Sequence, residues 1–156
     1  MILKIIDFIL TGFYSGKIKF MPGTFGTLSA VPIFIYLFNN TLLINILILI
    51  ILFLSSLMLL NYSYKNNLFD NIDDKSIVID EIIGYLSFMI FFDINITNII
   101  IGFLLFRFFD ILKPFPISYV DNKIKNSFGV IFDDVIAGLY VVLTLIIFML
   151  IKTKLF

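Results

Sequence analysis

Apolar side chains gather into five long stretches, at residues 28–38, 42–62, 77–92, 96–112 and 130–151. Crossing the hydrocarbon of a bilayer as a helix takes about 20 residues, with a range of roughly 17–25. The second and fifth stretches meet that length and the fourth lies at its lower limit. The first and third are short unless their polar ends are drawn in. None alternates polar and apolar positions as the strands of a membrane barrel do. The pattern predicts an all-α integral membrane helical bundle with four to five membrane-embedded helices, in a single domain over residues 1–156. For the first two stretches a shallow or re-entrant hairpin about Asn39 and Asn40 is the alternative.

The placement of charge gives this bundle an orientation. With all five stretches crossing and the N-terminus inside, residues 1–27, 63–76 and 113–129 share the inner side. That side then holds Lys4, Lys17, Lys19, Lys65, Lys75, Lys113, Lys123 and Lys125, leaving Lys152 and Lys154 outside. Cytoplasmic loops carry such an excess of basic residues. The same topology brings the polar clusters at 22–27, 80–81, 107–113 and 133–134 to the cytoplasmic side, although of these residues only Lys113 bore on the choice.

Composition narrows the chemistry. Hydrophobic residues make up 61% of the chain and charged ones 14%, against about 45–50% apolar in an ordinary soluble domain. Eleven basic and eleven acidic residues cancel, so no basic excess marks a nucleic-acid binder. The chain contains no Cys and no His, which excludes disulfides, thiolate chemistry and any catalytic imidazole. The opening ten residues carry Asp7 and lack a small-residue cleavage site, so no cleavable signal is expected there.

Two acidic pairs stand at the mouths of apolar stretches: Asp80-Glu81, followed by Gly84, and Asp133-Asp134, followed by Ala137 and Gly138. A carboxylate near membrane depth is costly unless it is paired or coordinated. Neighbours on a helix diverge by about 100°, so a pair can grip a cation between helices, or one acid can bind while the other orients it. Gly84 and Gly138 each follow an Asp by four positions and leave room for a ligand or a close helix contact. Hard carboxylate oxygens suit Mg²⁺. The alternative is that the acids only complement helix N-termini.

Arg107, Asp110 and Lys113 recur at three-residue spacing before Pro114 and Pro116. They can clamp phosphate, with Asp110 as a metal ligand or as the partner of Arg107, or they can form an ion-pair ladder. Pro22-Gly23-Thr24-Phe25-Gly26-Thr27 can offer backbone amides and hydroxyls to an anion, or can be an ordinary turn with a Thr cap. Asp7, Asp70, Asp73, Asp74 and Asp93 read as solvated charges, and Asp121 as undecided between the site clusters.

In order along the chain, these strings resemble the phosphatidylglycerophosphatase A family. They are Thr11-Gly12 with Ser15-Gly16, Met21-Pro22-Gly23-Thr24-Phe25-Gly26-Thr27-Leu28, and Ser76-Ile77-Val78-Ile79-Asp80-Glu81-Ile82-Ile83-Gly84. Phe106-Arg107-Phe108-Phe109-Asp110-Ile111-Leu112-Lys113-Pro114-Phe115-Pro116-Ile117 and Asp133-Asp134-Val135-Ile136-Ala137-Gly138 follow. The resemblance departs at Asp74, where the family often has His, and at Asn126-Ser127-Phe128-Gly129, where it has a Gly-Gly-x-Gly loop. It implies Mg²⁺-dependent hydrolysis of phosphatidylglycerophosphate to phosphatidylglycerol and inorganic phosphate, at the cytoplasmic face of a bacterial membrane.

The residues accommodate that reaction. Asp80, Glu81, Asp133 and Asp134 are the expected catalytic and metal-binding carboxylates, with Asp110 a further candidate ligand. Pro22, Gly23, Thr24, Gly26, Thr27, Arg107 and Lys113 are the expected substrate-binding set, and the expected nucleophile is water. Other phosphatase designs fail on residues: the phosphatidic acid phosphatase type needs a His, and the Asp-x-Asp-x-Thr pattern of haloacid dehalogenases is absent. A small ion or solute transporter is the alternative from another class, although the two acidic pairs sit in no detectable internal repeat.

Overall fold

The computed structural model describes residues 1–69, 71 and 74–155, with side chains to residue 151. Asp70 and Asp73 lie outside the described residues, as do the side chains of Lys152 and Lys154. The described chain is helical throughout, with no strand: α1 (Ile2–Leu10), α2 (Pro22–Leu37), α3 (Leu42–Lys65), α4 (Ile79–Met89), α5 (Ile96–Leu112), α6 (Ile117–Lys123) and α7 (Ser127–Leu155). Helices α2, α3, α4, α5 and α7 correspond to the five apolar stretches. Helices α1 and α6 carry no long apolar run and were not among the expected elements.

Local chemistry sets the helix ends. Pro22 opens α2 in the first turn, where a missing N–H costs nothing. The Asn95 side chain accepts from the Asn98 N–H at 2.8 Å and caps α5. Asn126 does the same for α7, accepting from Gly129 N–H at 2.9 Å. Lys113 ends α5 in a left-handed conformation at φ 42°, and Pro114 prevents its continuation.

Helix α4 is the centre of the bundle. Eight of its residues are buried, Gly84 among them, and α7, α2, α3 and α5 pack around it. Its 11 residues rise only about 16 Å at 1.5 Å each, well short of a bilayer core. Among the described residues two helices are long and apolar enough to cross a membrane, α3 and the Ser127–Ile151 part of α7. In α3 only 11% of the apolar window is buried within the chain. Leu43, Ile51, Leu54 and Met58 are more than half exposed there. A core helix of a soluble domain would bury such a surface, so lipid is the fitting solvent for it.

The chain's turns alternate between two ends of the bundle. At one end, Asn45 Nδ2 donates to the Phe38 carbonyl at 2.9 Å and ties α3 to the end of α2. Near the other, Ser127 Oγ donates to Asn61 Oδ1 at 2.6 Å and joins α3 to α7. The Val78 N–H donates to the Leu10 carbonyl at 3.0 Å, which anchors the lead into α4 against α1. The starts of α2, α4 and α7 thereby share one end of the bundle with the finish of α5.

Candidate active site

At that shared end lies a cavity of about 320 Å³. Its wall includes Pro22, Gly23, Thr24, Asp80, Glu81, Arg107, Asp110, Lys113, Asp133 and Asp134. Of the residues expected from sequence, only Gly26 and Thr27 are missing from the wall. Both are buried behind it in α2, where Gly26 packs on Val78. The stretch 22–27 is accordingly neither a free loop nor a turn but the first turns of a helix. The Thr27 hydroxyl donates to the Gly23 carbonyl at 2.9 Å and accepts from Arg107 Nη1 at 3.4 Å.

The acids divide into three groups. Asp80, Glu81 and Asp134 each offer an oxygen, and these atoms lie within 4.8 Å of one another. Asp133 points elsewhere: its Oδ2 accepts from Lys113 Nζ at 2.7 Å, as the divergence of helix neighbours dictates. Asp110 is paired with Arg107 one turn away on α5 and borders Asp134. Asp80 Oδ1 and Glu81 Oε2 are buried with no hydrogen-bond partner among the described residues. Buried carboxylate oxygens without partners are expensive, and three converging on one point repel one another. A cation between them removes both penalties, so Asp80, Glu81 and Asp134 fit a hard metal ion.

Helix-terminus complementarity accounts for at most one of the two acidic pairs. Asp133 and Asp134 stand six and seven positions inside α7, which begins at Ser127, and the dipole effect fades within the first turn. Asp80 and Glu81 do lie in the first turn of α4, yet neither caps it by a side-chain hydrogen bond.

Close helix contact, rather than ligand space, explains Gly84. A Cβ there would stand 2.7 Å from Asp134 Cβ and 2.9 Å from the Asp134 carbonyl oxygen. The absent side chain lets α7 approach α4, which brings Asp134 to Asp80 and Glu81. Gly23 plays a similar part in α2, where a Cβ would overlap Glu81 Oε1 and come within 3.0 Å of the Arg107 guanidinium.

The cations are less free than a phosphate clamp requires by itself. Arg107 pairs with Asp110, and its Nη1 lies 3.8 Å from Glu81, while its buried Nε has no partner among the described residues. Lys113 leaves the stripe of Arg107 and Asp110 because its backbone turns left-handed. Its Nζ sits 2.9 Å from Asp121 and 2.7 Å from Asp133, tying α5, α6 and α7 together. Burial works against its charge, but Asp133 and Asp121 outweigh that and hold the ammonium well above the usual lysine range.

Sequence reasoning underrated Asp74 and left Asp121 open; both line the cavity. Asp74 Oδ1 accepts from the Ser76 N–H at 2.9 Å and the Ser76 hydroxyl at 2.7 Å, shaping the entry to α4. The Asp-Lys-Ser turn pattern was the available signal. Asp7 is paired with Lys17. The stretch Asn126–Gly129, where the sequence departs from a glycine-rich loop, begins α7, and Gly129 reaches the cavity wall.

A family model described as phosphatidylglycerophosphatase A matches residues 8–149, which contain every cavity residue named above. The chain belongs to the phosphatidylglycerophosphatase A family. Phosphatidylglycerophosphatase A of Haemophilus influenzae is 37% identical over 145 residues, covering 91% of this chain and 87% of that protein. The Escherichia coli protein of the same name is 29% identical, over 83% of this chain and 75% of its own length. A Bacteroides thetaiotaomicron protein provisionally named a phosphatidylinositol-3-phosphatase is 34% identical, over 83% of this chain and 84% of its own. No solved structure gives a significant match.

Proposed function

We propose that the chain is a Mg²⁺-dependent phosphatase of the bacterial cytoplasmic membrane that hydrolyses phosphatidylglycerophosphate to phosphatidylglycerol and inorganic phosphate. One observation carries the reading: Asp80, Glu81 and Asp134 converge, the first two each with a buried oxygen that lacks a partner among the described residues, in a cavity that also presents Arg107 and Lys113. The names of the two phosphatidylglycerophosphatase A relatives supply the substrate. Four to five helices embed in the membrane, the cavity faces the cytoplasm, and residues 1–156 form one catalytic domain. The excess of lysines at the cavity end supports that orientation.

The cavity wall carries seven carboxylates (Asp74, Asp80, Glu81, Asp110, Asp121, Asp133 and Asp134) against four cations (Lys75, Arg107, Lys113 and Lys125). With its carboxylates ionised that field repels a dianionic phosphate, and added positive charge relieves the repulsion. Asp80, Glu81 and Asp134 would hold the magnesium, which would supply charge neutralisation for the transferring phosphoryl group and acidify water. Arg107 is held by Asp110 in a fixed orientation and donates to the phosphate oxygens through the part of its fork that remains free. Lys113 stabilises Asp133 and adds its charge at the cavity wall. The start of α2 lends its positive end to the same face.

Water is the nucleophile on this reading. Of the seven wall carboxylates, Asp110, Asp121 and Asp133 are each held by a cation, and Asp74 accepts from Ser76. The other three converge on one point, an arrangement that favours water over a carboxylate as the attacking group. The test is phosphate release from phosphatidylglycerophosphate in detergent micelles with Mg²⁺, with EDTA, and with phosphatidylinositol 3-phosphate as competing substrate. Metal-dependent release from the first lipid is expected. No release from folded protein, or a preference for the inositol lipid, overturns the assignment.

A further inference from the structure

A second cleft, of about 590 Å³, opens beside the active-site cavity and shares Met21, Pro22, Asp74 and Lys75 with its wall. The two differ in the sign of their charge. Acids outnumber bases in the inner cavity, whereas Lys17, Lys19 and Lys75 face only Asp74 in the outer cleft. An anion needs an accompanying cation to enter the first but none to settle in the second. Lys17 is already engaged by Asp7, and its Nζ lies 4.9 Å from the centre of the Tyr14 ring. Lys19 and Lys75 form no ion pair with any described residue, and their ammonium groups are available.

The segment that supplies Lys17 and Lys19 is also partly apolar. Ile18, Phe20 and Met21 are exposed, Phe20 to 74%, and they interleave with the two lysines. Lysines interleaved with exposed apolar side chains are what a protein presents to the headgroup and acyl boundary of an anionic lipid. The outer cleft is thus furnished for a lipid phosphate at the rim of a cavity furnished for a metal and a second phosphate. On the function proposed above, the substrate is a lipid with two phosphates, a terminal monoester and the phosphodiester that joins it to diacylglycerol.

We infer that the outer cleft binds the phosphodiester of the same lipid whose terminal phosphate enters the inner cavity, with Lys19 and Lys75 as its ligands. Ile18, Phe20 and Met21 then stand toward the acyl chains. The two lysines select substrates that carry both phosphates, while the hydrolytic step belongs to the inner cavity.

Steady-state kinetics of the full chain in neutral detergent micelles, with phosphatidylglycerophosphate as the sole anionic lipid, test this. In K19A/K75A, KM rises roughly tenfold while kcat changes by less than about twofold, and K19R/K75R restores KM. An unchanged KM overturns the inference, and so does a fall in kcat alone. A rise in KM that appears only when phosphatidylglycerol is added also overturns it, because the cleft then serves bulk lipid. Inactive wild-type protein would instead defeat the function itself, so the two failures are distinct.

Discussion

Adding one methyl group at Gly84 tests whether helix approach builds the acidic cluster. A Cβ at that position would lie 2.7 Å from Asp134 Cβ, 2.8 Å from Phe106 Cζ and 2.9 Å from the Asp134 carbonyl oxygen. Carbon pairs are comfortable at about 3.5–4.0 Å, so α4 and α7 must part by roughly 1 Å at this crossing. Overpacking of this kind costs about 1–3 kcal/mol of stability. The larger effect falls on the site, because Asp80 and Glu81 ride on α4 and Asp134 on α7. A misplacement of about 1 Å costs on the order of 100-fold in rate. Gly102 is the control, since a Cβ there also meets an atom at 2.8 Å, but that atom is the Met89 sulfur at the end of a flexible side chain. The assay is phosphate release against Mg²⁺ concentration, with unfolding followed by circular dichroism in detergent. G84A loses about 100-fold in rate and needs more Mg²⁺, while G102A keeps wild-type kinetics. Wild-type Mg²⁺ dependence and rate in G84A, or equal losses in both variants, would refute the reasoning.

Other consequences follow from the same geometry. D80N, E81Q and D134N each lower kcat at least about 100-fold in the phosphate-release assay. Each leaves the Tm of the metal-free protein unchanged or raised, because the crowding of three acids at one point is relieved. Mg²⁺ at about 100 times its Kd stabilises the wild type by about 2.7 kcal/mol, and D134N abolishes that gain in thermal unfolding. K113M strands the buried Asp133 carboxylate and costs about 2 kcal/mol, below the range for a fully buried pair because Lys113 is part-exposed. Folding raises the Lys113 pKa above its ordinary 10.5, so its contribution is complete below that value and declines only as pH climbs beyond it. The Tm deficit of K113M is therefore equal at pH 7 and pH 9. Rapid-quench experiments with ³²P-labelled substrate trap no covalent phosphoenzyme; a stoichiometric burst of labelled protein would make one of the carboxylates the nucleophile.

The helices that form the bundle were legible in the sequence because apolar runs depend on local composition. The stretch at 96–112 matches α5 residue for residue, and 42–62 anticipates most of α3. Helices α1 and α6 were not anticipated because both are too short to stand out as apolar runs, although α1 sets Lys4 and Asp7 on one face and buries Ile6 and Leu10 on another. The acidic pairs and Arg107 stood out for a related reason: charge among apolar residues is costly enough to need a purpose.

Sequence by itself determined that the chain is helical, that lipid suits its surface, and that chemistry without imidazole or thiol must rest on carboxylates, Arg and Lys. Which acid serves with which partner was decided by tertiary structure alone. Asp133 and Asp134 are adjacent in the chain, yet one faces Lys113 and the other faces Asp80 and Glu81. Lys113 keeps helical spacing with Arg107 but leaves its stripe through a left-handed turn. Gly84, four residues from Asp80, makes no room for a ligand and instead admits α7. Spacing along one helix fixes only direction about that helix's axis. The distance between groups on different helices depends on how closely their backbones approach, and that is set by packing between residues remote in sequence.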